Sequence, residues 1–321
     1  MTSSAAYHWI EQVCPICDSK PGRFLGRRGG SAHREGAGVV SNVWQCLRCG
    51  LIFPNPMPVP VDGLDQHYDL DPDVYFAQHD VAKRQAGVSG LLDQVERYTG
   101  GKGSLLDVGS GRGEVLKGAS ERGWSVTGIE PSARFADRAA RYSGVTDIRS
   151  ESIERCGFPP DSFDVVILQA LLEHLYHPDE TIREVARLLK AGGVLYADVP
   201  NEAGLYSRVG NLYQKLRGRD WVVNLSPTFS PFHVFGFSTR SLKALYRKHG
   251  LEPFAFTVRG GKSSLPTTAG FTGWVEYKAA GLVTDVANSL GMGTYIASWA
   301  RKNAAPPLAG QPRIDPTSPH L

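Results

Sequence analysis

The stretch LLDVGSGRGEV, residues 105 to 115, joins an apolar run to three closely spaced glycines and then to a helix-like continuation. This pattern predicts a buried strand, a tight turn and the start of a helix. A dinucleotide-binding turn has the form G-x-G-x-x-G, but the position of its third glycine holds Glu114. An acid there would oppose a pyrophosphate at a helix N-terminus, and the Gly-Lys-Ser/Thr of a P-loop is absent. The turn therefore predicts a ligand that is not a phosphate.

From residue 104 onward, short apolar segments alternate with amphipathic ones. Strands are predicted at SLLDV, WSVTGIE, VTDIRS, FDVVILQ, VLYADVP, LEPFAFTVRGG and TYIASWARK. Helices are predicted between them, and PSARFADRAARYSG has Pro131 near its start and Gly144 at its end. The alternation predicts an α/β fold with a doubly wound parallel sheet that is covered by helices on both faces.

Two segments, 201–236 and 260–290, break this alternation and are predicted to be insertions. Open α/β folds bind their ligands beyond the carboxyl ends of the strands, where such insertions lie. We therefore expect both segments to serve the substrate.

The composition excludes few classes of function. The 321 residues carry a net charge of +3, with 35 basic and 32 acidic side chains, whereas dedicated nucleic-acid binders usually have a stronger or more localised basic excess. The N-terminus lacks the basic start and apolar run of a signal peptide, and no apolar run is long enough to cross a bilayer. We expect a cytoplasmic protein; the sequence leaves its oligomeric state open.

Four of the five cysteines form two C-x-x-C pairs, and the fifth, Cys156, stands far downstream. Paired knuckles in a cytosolic chain indicate metal ligands before disulfides. Four thiolates complete a tetrahedral Zn²⁺ site, so we predict a closed structural zinc ribbon with no open coordination position. Its ligands would be Cys14, Cys17, Cys46 and Cys49. A redox pair is the alternative.

The sequence predicts four segments. Residues 1–58 form the zinc-ribbon module, ending at the proline-rich stretch 54–63, which is expected to interrupt helix and strand alike. Residues 59–99 form a linker and a helical extension, residues 100–303 form the main domain with its two insertions, and the proline-rich tail 304–321 is expected to be disordered.

Residues 105 to 113 resemble the first motif of class I S-adenosylmethionine-dependent methyltransferases, and the segments GIEPS and FDVVILQALLEH resemble later motifs in the expected order. The resemblance implies a Rossmann-like fold and S-adenosylmethionine as the cofactor. It also implies that the glycines let the backbone pass beneath the cofactor, that Asp107 works at its amino-acid end, and that Glu130 accepts both ribose hydroxyls.

The resemblance extends to the rest of the cofactor pocket. Glu151, or Ser152 in its place, would meet the adenine amino group, Ile153 would pack on the adenine, and Gln169 would lie near the methyl group. The implied cofactor-binding residues are Asp107, Gly109, Ser110, Gly111, Gly113, Glu130, Pro131, Glu151, Ser152, Ile153 and Gln169.

The N-terminal module has its own resemblance. CLRCGLIFPNPMP is similar to the start of many bacterial methyltransferases that modify sugars, lipids or secondary metabolites, and the likeness spans roughly residues 12–302. Some ribosomal-RNA methyltransferases also carry a zinc module, with a much shorter spacer. Four arginines of the spacer would suit phosphates, although a solvated loop is the simpler prediction: Arg23, Arg27, Arg28 and Arg34.

Two histidines are candidate bases for removing a proton from an acceptor hydroxyl. His233, in SPFHVFGFS, is the first, because similar enzymes have a P-x-H-x-x-x-F-S stretch on the substrate side. His174 in the LEH segment is the second, although Glu173 and His174 would equally suit a structural role. The insertion supplies candidate acceptor contacts, which would equally suit a self-packed lid: Tyr206, Tyr213, Arg217 and Trp221.

The leading hypothesis is methyl transfer to a small hydroxylated acceptor, as O-methylation of a sugar, a lipid-linked sugar or a secondary metabolite. Methylation of RNA, and C- or N-methylation of a natural product, are alternatives. A cofactor-binding scaffold without activity is disfavoured, because Asp107, the glycine turn and Glu130 are all present.

Overall fold

The computed structural model describes residues 6–32, 38–61, 63, 81–226, 232–260 and 270–303. The predicted disordered tail 304–321 therefore lies outside the described residues, as do Arg34 and most of the segment between residues 62 and 80. None of the helices in the described ranges is long and apolar enough to cross a bilayer.

Two small antiparallel sheets build the N-terminal module. Its strands are β1 (Tyr7–Ile10), β2 (Arg23–Arg28), β3 (Ser41–Gln45), β4 (Ile52–Pro54) and β5 (Met57–Pro60). Strands β2, β3 and β4 form one sheet, and β1 pairs with β5. The proline-rich stretch 54–63 ends β4 at Pro54, as expected, but it also contains β5, which was not expected. An edge strand tolerates proline because only one of its sides needs N–H donors. The predicted module boundary at residue 58 falls inside β5.

A seven-stranded sheet forms the centre of the molecule. Its strands are β6 (Ser104–Val108), β7 (Ser125–Ile129), β8 (Ile148–Arg149), β9 (Phe163–Gln169), β10 (Leu189–Pro200), β11 (Leu251–Arg259) and β12 (Tyr295–Lys302), in the order β11-β12-β10-β9-β6-β7-β8. The prediction of a purely parallel sheet needs correction, because β12 is antiparallel to both neighbours. Arg259, the last residue of β11, pairs with Tyr295, the first of β12. The chain thus returns to the sheet beside the end of β11, so β12 runs antiparallel to β11 and to β10.

Seven helices lie in the described ranges: α1 (Val81–Thr99), α2 (Glu114–Glu121), α3 (Ala133–Ser143), α4 (Pro178–Leu188), α5 (Leu205–Leu216), α6 (Thr239–Lys248) and α7 (Gly270–Ser289). Successive residues of β9 enter opposite cores: Val166 and Leu168 pack with Ile182 of α4, whereas Val165 and Ile167 pack with Leu92 of α1. This period of two confirms that helices cover both faces of the sheet.

The N-terminal module shares its core with the main domain. Phe53 of β4 packs against Phe235, and Ile52 forms a backbone bridge with Gly236. The hydroxyl of Tyr176 donates to the carbonyl oxygen of Pro58 at 2.9 Å. The module therefore lies against the segment around residue 235, at the edge of the central sheet where the loops after β9 and β10 emerge.

Candidate active site

The glycine turn follows β6 and leads directly into α2. Gly109, Gly111 and Gly113 have φ angles of 74°, 54° and 90°, values that side chains other than glycine rarely adopt. The backbone N–H groups of Gly109 and Ser110 both donate to the carbonyl oxygen of Ile129, the last residue of β7. The turn therefore presents bare backbone beside the carboxyl ends of two adjacent strands.

Two buried acids flank this turn. Asp107 is 3% exposed, and its burial, with the nearby carboxylates of Glu114 and Glu130, raises its pKa to about 8. Burial also raises the pKa of Glu130 to about 7, although its carboxylate accepts a hydrogen bond from the Gly111 N–H at 3.0 Å. A cation bound between them would favour the ionised form of both side chains.

Glu114, the residue that excludes a dinucleotide site, is the first residue of α2. Its carboxylate accepts two hydrogen bonds from the guanidinium of Arg112, at 2.7 and 2.8 Å, and both side chains are buried. Because this acid already has a basic partner, it offers no place for a phosphate.

The predicted adenine residues follow β8, next to β7. Glu151 is exposed and Ser152 is half-buried. Ile153 is 3% exposed and begins a short 3-10 helix, Ile153–Arg155. In the sheet, β7 lies between β6 and β8, so these three residues and the glycine turn follow strands on opposite sides of β7. Their roles in cofactor binding stay predictions.

The third group of residues follows β9. Gln169 is its last residue and is exposed, and the short 3-10 helix Leu172–His174 comes after it. One carboxylate oxygen of Glu173 and one ring nitrogen each of His174 and His233 lie within 4.8 Å of one another. We call these three residues the histidine cluster. The two imidazole rings meet edge to face, with 4.8 Å between their centroids.

Backbone contacts hold the histidine cluster together. The carbonyl oxygen of Glu173 accepts hydrogen bonds from the N–H groups of Val234 and Phe235, at 2.8 and 3.2 Å. Nδ1 of His174 lies 3.0 Å from the carbonyl oxygen of Phe232 and must donate to it, because a carbonyl only accepts. In the neutral ring, the basic atom of His174 is therefore Nε2.

Burial favours the uncharged forms of His233 and Glu173. The pKa of His233 is well below 6.5, because burial and the neighbouring His174 and Arg28 disfavour its charged form. Burial raises the pKa of Glu173 to about 8, so this acid is largely protonated at neutral pH. Nδ1 of His233 is buried and accepts no hydrogen bond from the described residues. The ring is therefore uncharged at neutral pH, and an uncharged imidazole has one nitrogen that can accept a proton.

Comparison with known proteins identifies a family match within the central domain. The model of a family described as "Methyltransferase domain" matches residues 106–197, which run from β6 into β10. The chain carries a methyltransferase domain. Ubiquinone biosynthesis O-methyltransferases are similar in sequence: the protein from Azoarcus sp. (strain BH72) is 29% identical over 170 residues, or 50% of this chain and 70% of that protein. The protein from Saccharophagus degradans is 33% identical over 126 residues, or 37% and 53%. The second match thus spans about half of the relative's length.

A solved structure has the same fold. The Burkholderia thailandensis 1,6-didemethyltoxoflavin-N1-methyltransferase, which holds 1,6-didemethyltoxoflavin and S-adenosylhomocysteine, superposes with a TM-score of 0.50 at 14% identity. The superposition covers 81% of this chain and 98% of that one. The central sheet with its helices therefore has the class I methyltransferase fold.

The structure adds polar residues to the site that the sequence did not single out. Asp198 of β10 pairs in register with Gln169, and its Oδ1 accepts the Ala170 N–H at 2.7 Å. Glu202 is 8% exposed, and its carboxylate accepts hydrogen bonds from Asn224 Nδ2 and the Leu225 N–H. An acid within the apolar strand VLYADVP was the one available signal for Asp198.

The four residues of the insertion that were predicted to contact the acceptor do not form one cluster. Tyr206 is half-buried and lies within electrostatic reach of Arg28. Tyr213 and Arg217 hydrogen-bond to each other on the exposed side of α5, with 2.6 Å between the hydroxyl and Nη1. Trp221 forms a backbone bridge with Arg27 of β2. The methyltransferase domain thus meets the N-terminal module through this insertion.

The four cysteines of the two knuckles form one cluster. Cys14 Sγ lies 3.4 Å from Cys49 Sγ, Cys17 Sγ lies 3.4 Å from Cys46 Sγ, and all four sulfurs lie within 4.8 Å of one another. A tetrahedral Zn²⁺ with Zn–S bonds of about 2.3 Å requires S···S distances of about 3.8 Å. The cluster therefore fits Zn²⁺.

The two knuckles also share one backbone geometry. The N–H groups of Asp18 and Gly50 donate to the carbonyl oxygens of Cys14 and Cys46, each at 2.9 Å. Both donors have a left-handed conformation, with φ angles of 55° and 84°. Two matching turns that present paired thiols are what a closed four-thiolate site needs.

Proposed function

We propose that the chain transfers a methyl group from S-adenosylmethionine to a hydroxyl of a small acceptor, as O-methylation of a sugar, a lipid-linked sugar or a secondary metabolite. The observation that carries this proposal is the adjacency of two sites. A buried acidic turn suited to a cation and a buried neutral histidine suited to accept a proton lie at the same edge of one sheet. The named O-methyltransferase activity of the sequence relatives supports the same reaction class.

The glycine turn and its acids would hold the cofactor. When bound, S-adenosylmethionine supplies an electrophilic methyl group on a positively charged sulfonium. Asp107 and Glu130 are buried carboxylates whose ionisation that charge favours. Glu130 keeps acceptor capacity for ribose hydroxyls beside its bond from Gly111, since each carboxylate oxygen has two lone pairs.

The histidine cluster would handle the acceptor's proton. His233 takes up the hydroxyl proton at its unused Nδ1 as the oxygen becomes nucleophilic. His174 holds its ring against His233, anchored by Phe232. Burial and the neighbouring His174 and Arg28 hold the pKa of His233 low, so the ring loses the acquired proton to water after the methylated product leaves.

The cysteine cluster would hold a structural Zn²⁺ that fixes the N-terminal module. The four thiols are the ligand set of closed zinc sites and leave no open position for chemistry. The metal would act by holding β2 and β4 against the segment that carries His233.

Fractionation of labelled product tests this function. We would incubate the protein with methyl-labelled S-adenosylmethionine and an extract of the host cell, then separate small polar molecules, lipids, RNA and protein. The proposal expects the label in the small-molecule or lipid-linked fraction, in a base-stable methyl ether. Label in RNA would favour the alternative of RNA methylation, with a steep loss of activity as salt is raised.

A further inference from the structure

Arg28, the last residue of β2, is buried with one hydrogen-bond donor that has no partner among the described residues. Its side chain is 9% exposed, and Nη1 donates to the carbonyl oxygen of Val222 at 3.1 Å. Nε is buried and has no hydrogen-bond partner among the described residues. A guanidinium carries five N–H donors and keeps its charge, so leaving a donor unpaired inside a protein is unfavourable.

The side chain of Arg28 lines a cavity that also contains His233. The cavity lies between the β2-β3-β4 sheet and the segments around residues 225 and 233, and its apolar walls include Val43 and Phe232. Its polar lining consists of Arg28, Ser41 and His233. Among the described residues, Nδ1 of His233 and Nε of Arg28 are thus two buried nitrogens without hydrogen-bond partners, and both side chains line one cavity.

The charged neighbours of Arg28 do not use up its donors. Glu202 is the carboxylate that favours its charge, with Tyr206 a weaker influence. The Glu202 carboxylate is itself engaged by Asn224 and Leu225, at 2.7 and 3.0 Å. The guanidinium therefore has a carboxyl group nearby, while its Nε–H has no partner among the described residues and could donate to a ligand.

We propose that this cavity is an anion subsite of the acceptor, in which Arg28 holds a carboxylate or a phosphate while the hydroxyl to be methylated lies at His233. The inference rests on the proposed function, since it names the acceptor's chemical class. A planar guanidinium fork matches both anions, and the apolar walls strengthen a charged hydrogen bond by excluding water. A neutral polyol could accept a hydrogen bond from the guanidinium but would bring no negative charge to it.

Calorimetric titration tests the subsite without knowledge of the acceptor. Inorganic phosphate and acetate would be titrated separately into the full-length protein, into Arg28→Met, and into the matched control Arg23→Met. Arg23 lies on the same strand but is exposed and bonded to Gln45. We expect saturable binding of at least one anion to the wild type and the control, and binding weaker by at least about tenfold in Arg28→Met.

Equal binding to Arg28→Met, or no saturable binding of either anion to the wild type, would overturn the subsite. Unchanged affinity for S-adenosylhomocysteine shows that each variant is folded. Should Arg28→Met fail this check, Arg28→Lys replaces it, because a lysine keeps the charge but loses the two-pronged contact, and weaker anion binding is again expected.

The charge of the labelled product provides a second, independent test. The labelled small molecule is expected to bind a strong anion exchanger at neutral pH, and phosphatase treatment would release it only if the anion is a phosphate. A neutral labelled product would overturn the anion subsite and leave the proposed function standing. A complete lack of labelled product would overturn the proposed function, while the calorimetry would still decide whether the subsite exists.

Discussion

The glycine turn and the histidine cluster lie at the same sheet edge but are assembled in different ways. Gly111 and Glu130, which hydrogen-bond at the turn, are 19 residues apart in the chain. His174 and Phe232 are 58 residues apart, and Arg28 reaches across 194 residues to Val222. The turn is a local strand–turn–helix unit, whereas the cluster and its cavity require the N-terminal module and the insertion to meet.

This difference separates the two halves of the proposed reaction. The hydrogen bonds of the acidic turn join residues of the turn, of β7 and of the loop that follows β7. The cavity between Arg28 and His233 exists only where the module packs on the domain. Donor binding should therefore withstand damage to the module, and acceptor methylation should not.

Loss of the metal should produce the largest difference between acceptor methylation and donor binding. We expect Cys46→Ser to lower bound zinc from about one atom per chain to almost none and to abolish acceptor methylation, because the metal site is closed and structural. S-adenosylmethionine should still bind with an affinity within about threefold of wild type. Metal analysis and calorimetry measure both effects.

Cys156→Ser is the matched control for this prediction. Cys156 is also buried, but its thiol lies near the carbonyl oxygen of Ile153, outside the four-cysteine cluster. It should retain the zinc. Equal loss of donor binding and methylation in Cys46→Ser would show that the two regions are not separable.

Replacement of His233, the proposed base, should affect the histidine cluster and leave the glycine turn unchanged. We expect His233→Gln to slow methyl transfer by about 10²- to 10⁴-fold, because the hydroxyl loses its proton acceptor, without changing the affinity for S-adenosylmethionine. Rates of label transfer and calorimetry provide the two readouts. His8→Gln, on the exposed surface of β1, is the control. A rate within about twofold of wild type would remove His233 from the chemistry.

A substitution at the glycine turn should instead weaken binding of the methyl donor. Glu130→Ala should weaken S-adenosylmethionine binding by roughly 10- to 100-fold, because hydrogen bonds to a charged group contribute about 1.5–3 kcal/mol. Glu121→Ala, an exposed acid at the end of α2 that pairs with Lys117, should bind normally. Calorimetry at fixed pH measures both, and unchanged affinity in Glu130→Ala would contradict the assigned pocket.

The smallest expected effect is a dependence of cofactor binding on pH. Without a ligand, the pKa of Asp107 is about 8 and that of Glu130 about 7, so raising the pH from about 6 to about 8 ionises most of Glu130 and about half of Asp107. A cation binds the ionised forms better, so its affinity should rise by roughly tenfold over this range and binding should release protons. Asp107→Asn should flatten the profile. An affinity that falls as the pH rises would contradict the argument.

The sequence predicted well the features that depend on neighbouring residues, and poorly the features that depend on contacts between distant segments. The predicted strand FDVVILQ coincides with β9, because its apolar residues and bounds are set locally. The glycine spacing likewise predicted a turn, which the positive φ angles at Gly109, Gly111 and Gly113 bear out. These features depend on residues that are neighbours in the chain.

The missed features depend on distant contacts. The simpler prediction for the spacer arginines, a solvated loop, is wrong for Arg28, which is buried against Val222. Arg27 instead pairs with Asp220 on the surface. The reversed direction of β12 also depends on where α7 returns the chain. No local pattern of charge or hydrophobicity encodes these long-range contacts.

The most direct test of the account identifies the methylated atom. The protein would be supplied with S-adenosylmethionine that carries a ¹³C methyl group and with the small-molecule fraction of a host extract, and the product would be examined by NMR. We expect an O-methyl signal on a small acidic molecule that is lost in both Glu130→Ala and His233→Gln. An N- or C-methyl signal, label in RNA or protein, or an O-methyl signal that survives both substitutions would contradict the account.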